Sequence, residues 1–144
     1  MLVPLVVLAS VVGCATAVAA VPAKKPAGTK LTKLPERLKT PTGNFITLYA
    51  VKANGAAESF DVSICTSAHT PVGTEAIPSF FSLLLSNGTH LPNFTVSPLS
   101  PPLRVTPLGP KQCVRGWITF TVPQGAHAVE LFYTYGSPIK WKVG

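Results

Sequence analysis

Acidic side chains are scarce in this sequence: five in 144 residues, at Glu36, Glu58, Asp61, Glu75 and Glu130, without clustering. Hydrolysis by a closely set carboxylate pair is therefore not expected. Histidine is thinner still. His69, His90 and His127 are scattered beside turn residues with no His-x-x-x-His spacing, so neither a metal centre nor a cofactor is expected. A nucleophile elbow and a phosphate-cradling glycine loop are also missing, and the chain does not read as an enzyme. Long amphipathic helical windows are absent, while fifteen prolines and eleven glycines punctuate the chain. That combination favours an all-β domain with frequent turns. No internal repeat is visible. The length fits one domain, and 47% hydrophobic residues are enough to form a core.

One long apolar run is present, at the start. Leu2 to Ala20 is almost wholly apolar or small and ends in Ala17-Val18-Ala19-Ala20, small residues where a signal peptidase reads. We expect a signal peptide over residues 1–20, cleaved after Ala19 or Ala20, and an extracytoplasmic product, secreted or held in the cell envelope. No Lys or Arg precedes the run, so either the start lies upstream or the α-amino group alone supplies positive charge. Two rival readings use the same residues. Leu2 to Ala23 is roughly 20 residues, long enough to cross a bilayer, and Lys24 and Lys25 would then hold the domain in the cytoplasm. Val11-Val12-Gly13-Cys14 resembles a lipobox, which makes Cys14 a candidate lipidation site, although apolar Ala15 to Ala20 is unlike the usual polar tether.

The net charge of +7 is concentrated. Half of the basic side chains are Lys24, Lys25, Lys30, Lys33, Arg37 and Lys39, opposed only by Glu36, while the rest of the chain is close to balanced. Residues 21–43, with Pro22, Pro26, Pro35 and Pro41 and no apolar periodicity, read as a basic proline-rich linker. Its lysines, Lys24, Lys25, Lys30 and Lys33, are candidates for contact with an anionic membrane surface or wall polymer, the competing role being that of a solubilising linker. Nucleic acid is not an expected partner, because no aromatic residue is interleaved with these lysines to stack on bases.

From residue 44 to residue 144 the pattern is that of strands. Gln112 to Pro123 is the clearest, with Val114, Gly116, Ile118, Phe120 and Val122 on one parity and Arg115, Trp117, Thr119 and Thr121 on the other. Asn44 to Lys52 alternates with apolar residues on both faces, and Asn54-Gly55 turns it into a hairpin with Ser59 to Thr66. Ser67 to Ile77 reads as a loop. Ser79 to Leu85 is an apolar run ended by Asn87-Gly88, which favours a strand over a helix. Asn87-Gly88-Thr89 and Asn93-Phe94-Thr95 match the glycosylation sequon, the first being more economically a tight turn. Six prolines between Pro92 and Pro110 leave only short edge pieces, Phe94 to Ser97 and Leu103 to Val105, with Pro98 to Pro102 an extended crossing between sheets. Ala128 to Tyr135 and Ile139 to Val143 complete about seven strands, the number and spacing of a two-sheet sandwich.

Cys65 and Cys113 form an even pair in an exported domain and are expected to be disulfide-bonded. Both lie opposite the apolar parity of their strands. The bond should therefore join neighbouring strands or strand ends on the outer surface and should not pin two sheets through the core.

Trp117 shares its outward parity with Arg115, which makes the two candidate binding residues. The competing structural role for Trp117 is packing under the proline-rich crossing. Trp141 and Tyr133 carry core parity.

Phe81-Ser82-Leu83-Leu84-Leu85-Ser86-Asn87-Gly88 and Gly116-Trp117-Ile118-Thr119-Phe120-Thr121-Val122-Pro123 carry a resemblance. Over about Asn44 to Val143 the chain resembles small immunoglobulin-like domains of bacterial secreted proteins and lipoproteins. It is similar too to a small secreted immunoprotective antigen of mycobacteria. The resemblance implies an immunoglobulin-like sandwich and an extracytoplasmic address, and it supplies no catalytic residues. The expected function is a non-catalytic interaction module, binding a protein or a wall or membrane component. The alternative is a carbohydrate or small-ligand binding protein with its cleft between the sheets.

Overall fold

The computed structural model describes residues 33–92 and 96–144. The expected signal segment 1–20, its rival readings as a membrane helix or a lipidated Cys14, the lysines Lys24, Lys25 and Lys30, and the Asn93-Phe94-Thr95 sequon lie outside the described residues. Among the described residues the fold is all-β, with ten strands and a single 3-10 turn. The strands are β1 (Glu36–Lys39), β2 (Phe45–Ala53), β3 (Ala57–Cys65), β4 (Thr74–Ala76), β5 (Phe81–Leu85), β6 (His90–Pro92), β7 (Thr106–Leu108), β8 (Cys113–Thr121), β9 (Ala128–Tyr133) and β10 (Ile139–Lys142). They form one sheet of order β1-β2-β3-β8, a second of order β10-β9-β5-β6, and a two-stranded piece, β4-β7. Every one of these strand pairs is antiparallel.

Alternation decides which side chains meet. Ile46, Leu48, Phe60, Val62, Ile64, Ile118 and Phe120 from the first four-stranded sheet join Phe81, Leu83, Leu85, Leu131, Tyr133 and Trp141 from the second in one buried cluster. Two sheets sharing one core fit a sandwich. Full burial of a side chain the size of Leu83 or Phe60 contributes roughly 1.5–3 kcal/mol. Glu58 is also buried at this core's edge, where its carboxylate accepts a 2.6 Å hydrogen bond from the Ala128 amide and ties β3 to β9.

Strand count and boundaries depart from expectation in the short elements. Residues 36–39, inside the stretch read as linker, are β1, so the folded unit begins before Asn44. Four residues with charges at three positions leave too little apolar periodicity to read, and an edge strand tolerates such a composition. The stretch 67–77 read as a loop contains β4, and the edge piece expected over 103–105 is displaced to β7, with which β4 pairs. Proline at position 107 obscures that strand, yet prolines are accepted at sheet edges. The 79–85 run is a strand over its last five residues, as its terminator suggested.

A bulge in β2 sets up the outer face of the first sheet. Leu48 pairs with Val62 but Ala50 pairs with Asp61, so Tyr49 is the extra residue and parity resets after it. Strict alternation places Val51 outward with Phe45 and Tyr49. In the structure Val51 packs against the core instead, and Lys52, opposite Ser59, takes the outward position.

Candidate functional site

The outward face of the β1-β2-β3-β8 sheet carries rings and cations in contact. Register sets Arg115 opposite Ser63 and Trp117 opposite Asp61. From there the Arg115 guanidinium lies 3.7 Å from the centre of the Tyr49 ring. Its Nε and Nη2 also donate to the two carboxylate oxygens of Asp61 at 3.0 and 2.7 Å. That hydrogen-bonded carboxylate raises the Arg115 pKa above its ordinary value, against a smaller opposing effect of desolvation. Lys52 Nζ stands 4.8 Å from the Trp117 ring, and the Arg37 guanidinium 3.8 Å from the Phe45 ring. Contacts of this kind contribute about 0.5–1 kcal/mol each at exposed positions, and they hold long side chains in defined places.

Trp117 and Arg115 are therefore brought together on one face, with Trp117 half-buried and Arg115 exposed. The proline-rich segment does not leave β8 open. The Trp117 amide donates to the Pro101 carbonyl, and the Leu103 amide donates to the Trp117 carbonyl, both at 2.8 Å. The crossing thus runs along the edge of β8 and blunts it, while the indole itself takes Lys52. Lys33 is exposed just before β1. Trp141 is fully buried, and its indole nitrogen has no partner among the described residues.

Cys65 and Cys113 are disulfide-bonded. They are direct partners at the ends of β3 and β8, with Cα atoms 4.1 Å apart, on the outward parity of one sheet. The bond lies in a cleft of about 600 Å³ at that end of the sheet, lined also by Arg37, Lys39, Phe45, His69 and Lys111. No acidic residue lines this cleft. Among the described residues neither Arg37, Lys39 nor Lys111 makes an ion pair.

Two buried polar side chains fix the walls. Asn44, 5% exposed, accepts from the Ser67 amide at 3.1 Å and the Thr70 hydroxyl at 2.9 Å, joining the β1-β2 turn to the loop after β3. The Thr66 hydroxyl donates to the Gly109 carbonyl at 2.6 Å and accepts from the Gln112 amide at 2.9 Å, joining that loop to the turn before β8. Lys111 sits in this turn with φ of 56°, a left-handed conformation costly for a residue with a Cβ, and its amide donates to Ser67.

The sequence counts Arg37 and Lys39 within its basic group without assigning them a site, and it does not single out Phe45, Tyr49, Lys52 or Lys111. The signal was present in the alternation of Phe45 and Tyr49 against Ile46 and Leu48. Among the described residues no group of His, Cys, Asp and Glu could hold a metal ion. No protein-family model, curated protein or solved structure matches the chain.

Proposed function

We propose that this chain is an exported, non-catalytic interaction domain that binds a component of the cell envelope through the outward face of the β1-β2-β3-β8 sheet. The observation that carries this reading is the set of half-buried rings, Phe45, Tyr49 and Trp117, displayed on that face, each against a cation. Aromatic and arginine side chains supply much of the binding energy in protein recognition surfaces. Export is supported by the composition of Leu2 to Ala20 and by the Cys65–Cys113 bond, since disulfides persist in oxidising compartments.

The strand order supports an immunoglobulin-like arrangement. The series β10-β9-β5-β6 corresponds to G-F-C-C′, and β2-β3-β8 to A-B-E, with the bridged segment around Val96 and Pro102 in the place of strand D and β1 added outside. The disulfide would then join B to E within one sheet. The domain of this proposal spans β1 to β10, with the basic segment before it as an auxiliary contact to anionic surfaces.

Cosedimentation of the disulfide-intact protein with insoluble envelope material tests the reading. Wild type is expected in the pellet, and Trp117→Ala combined with Lys52→Gln is expected to shift it to the supernatant. A wild type that stays soluble, or a variant that pellets equally, contradicts the proposal.

A further inference from the structure

The two arginines on the outward face differ in one respect. Arg115 stacks on Tyr49 at 3.7 Å and, in the plane of its guanidinium, holds the Asp61 carboxylate through two nitrogens. The Arg37 guanidinium lies at a like distance, 3.8 Å, from the centre of the Phe45 ring. A guanidinium carries five N–H donors and contact with one ring cannot occupy them all, so donors of Arg37 remain for an acceptor that enters the cleft. No acidic side chain among the described residues meets those of Arg37. Lys39 lies two residues along the same strand face, roughly 7 Å further. Lys111, held in its left-handed turn, and His69 face the same cleft.

We infer that the cleft formed by Arg37, Lys39, Lys111 and Phe45 binds an acidic polysaccharide, with a glycan carboxylate taking on Arg37 the position that Asp61 takes on Arg115. This rests on the envelope-binding reading above and names its ligand class. Several cations around one concavity suit a chain that repeats its charge more than a single small anion. A cleft of about 600 Å³ accommodates a short segment of such a chain.

The test is calorimetric titration of the disulfide-intact protein with a short oligogalacturonate at low ionic strength. Parallel arms use a neutral malto-oligosaccharide of equal length and phosphatidylglycerol vesicles. Saturable binding of the acidic glycan is expected, weakened by about tenfold or more in Arg37→Gln and in Lys111→Gln, as for loss of a charge-assisted hydrogen bond. Lys140→Gln, an equal loss of charge on the other sheet, is expected to leave it unchanged. Equal binding of the neutral glycan, or undiminished binding by both cleft variants, overturns the inference. So does vesicle binding that depends on Arg37 and Lys111 while the acidic glycan does not bind. If the acidic glycan fails but envelope cosedimentation still depends on Trp117 and Lys52, the ligand class is wrong and the binding face stands. If both fail, both readings fall.

Discussion

A β-carbon on Gly116 would lie 2.5 Å from the amide nitrogen of Leu103 and 2.8 Å from its Cα. Backbone of the proline-rich crossing therefore passes over β8 at the one inward position without a side chain. That approach lets Leu103 enter the core, where it is 2% exposed. Gly116→Ala must displace main chain and not a flexible side chain. A loss of about 1–3 kcal/mol in unfolding free energy is expected from urea titration. Near wild-type stability would show that the crossing is free to move.

Asn44→Ala removes the acceptor shared by the Ser67 amide and the Thr70 hydroxyl. The Thr70 hydroxyl is buried, while the half-buried Ser67 amide keeps the Thr70 oxygen as a second acceptor at 2.9 Å, so a cost of about 1 kcal/mol is expected. The damage should be local. Amide exchange at Ser67 is expected to accelerate far more than exchange at Val62 or Phe60 in the middle of β3, and uniform acceleration would contradict the assigned role.

Burial, with a smaller contribution from Tyr135, pushes the Tyr133 phenol up to about 12. In the unfolded chain it ionises near about 10, so between these values the unfolded state has released a proton that the folded state retains. The stability tied to this group is complete below pH about 10 and is lost as pH rises toward about 12. Denaturation midpoints measured from pH about 8 to about 11 are expected to fall more steeply in wild type than in Tyr133→Phe. Parallel curves would contradict the assignment.

The Cys65–Cys113 bond closes a separation of 48 residues. In the chain-entropy account such a crosslink contributes about 4 kcal/mol. The double substitution Cys65→Ser with Cys113→Ser is expected to lower unfolding free energy by nearly that amount. A change below about 1 kcal/mol would show that the β3-β8 register, and not the sulfur bridge, holds this end of the sheet.

Parity read from the sequence placed much of the core, including Ile118, Phe120, Tyr133 and Trp141, and it placed both cysteines on the outer surface, joining neighbouring strands or strand ends. It worked because each of those strands buries a single face, which period 2 reports directly. It failed at β1, where Glu36-Arg37-Leu38-Lys39 offers one apolar residue in four, and at Val51, where the bulge at Tyr49 inverts the count. Half of the candidate face was visible: Arg115 and Trp117 share a strand and a parity. The cleft was not, because Arg37, Phe45, His69 and Lys111 come from four separate segments that only register and the Asn44 and Thr66 hydrogen bonds bring together. Lysines of the basic stretch attracted attention by their number, whereas Arg37 acquires its role from a ring on the neighbouring strand.

Residue-resolved NMR is the most direct measurement of the central claim, that the outward face of β1-β2-β3-β8 is where this domain binds. Amide shifts of the disulfide-intact protein would be followed during titration with solubilised envelope polymer. Saturating changes are expected to concentrate at Arg37, Lys39, Phe45, Tyr49, Lys111 and Trp117. Changes concentrated on β9 and β10, around Phe132 and Lys140, would contradict it.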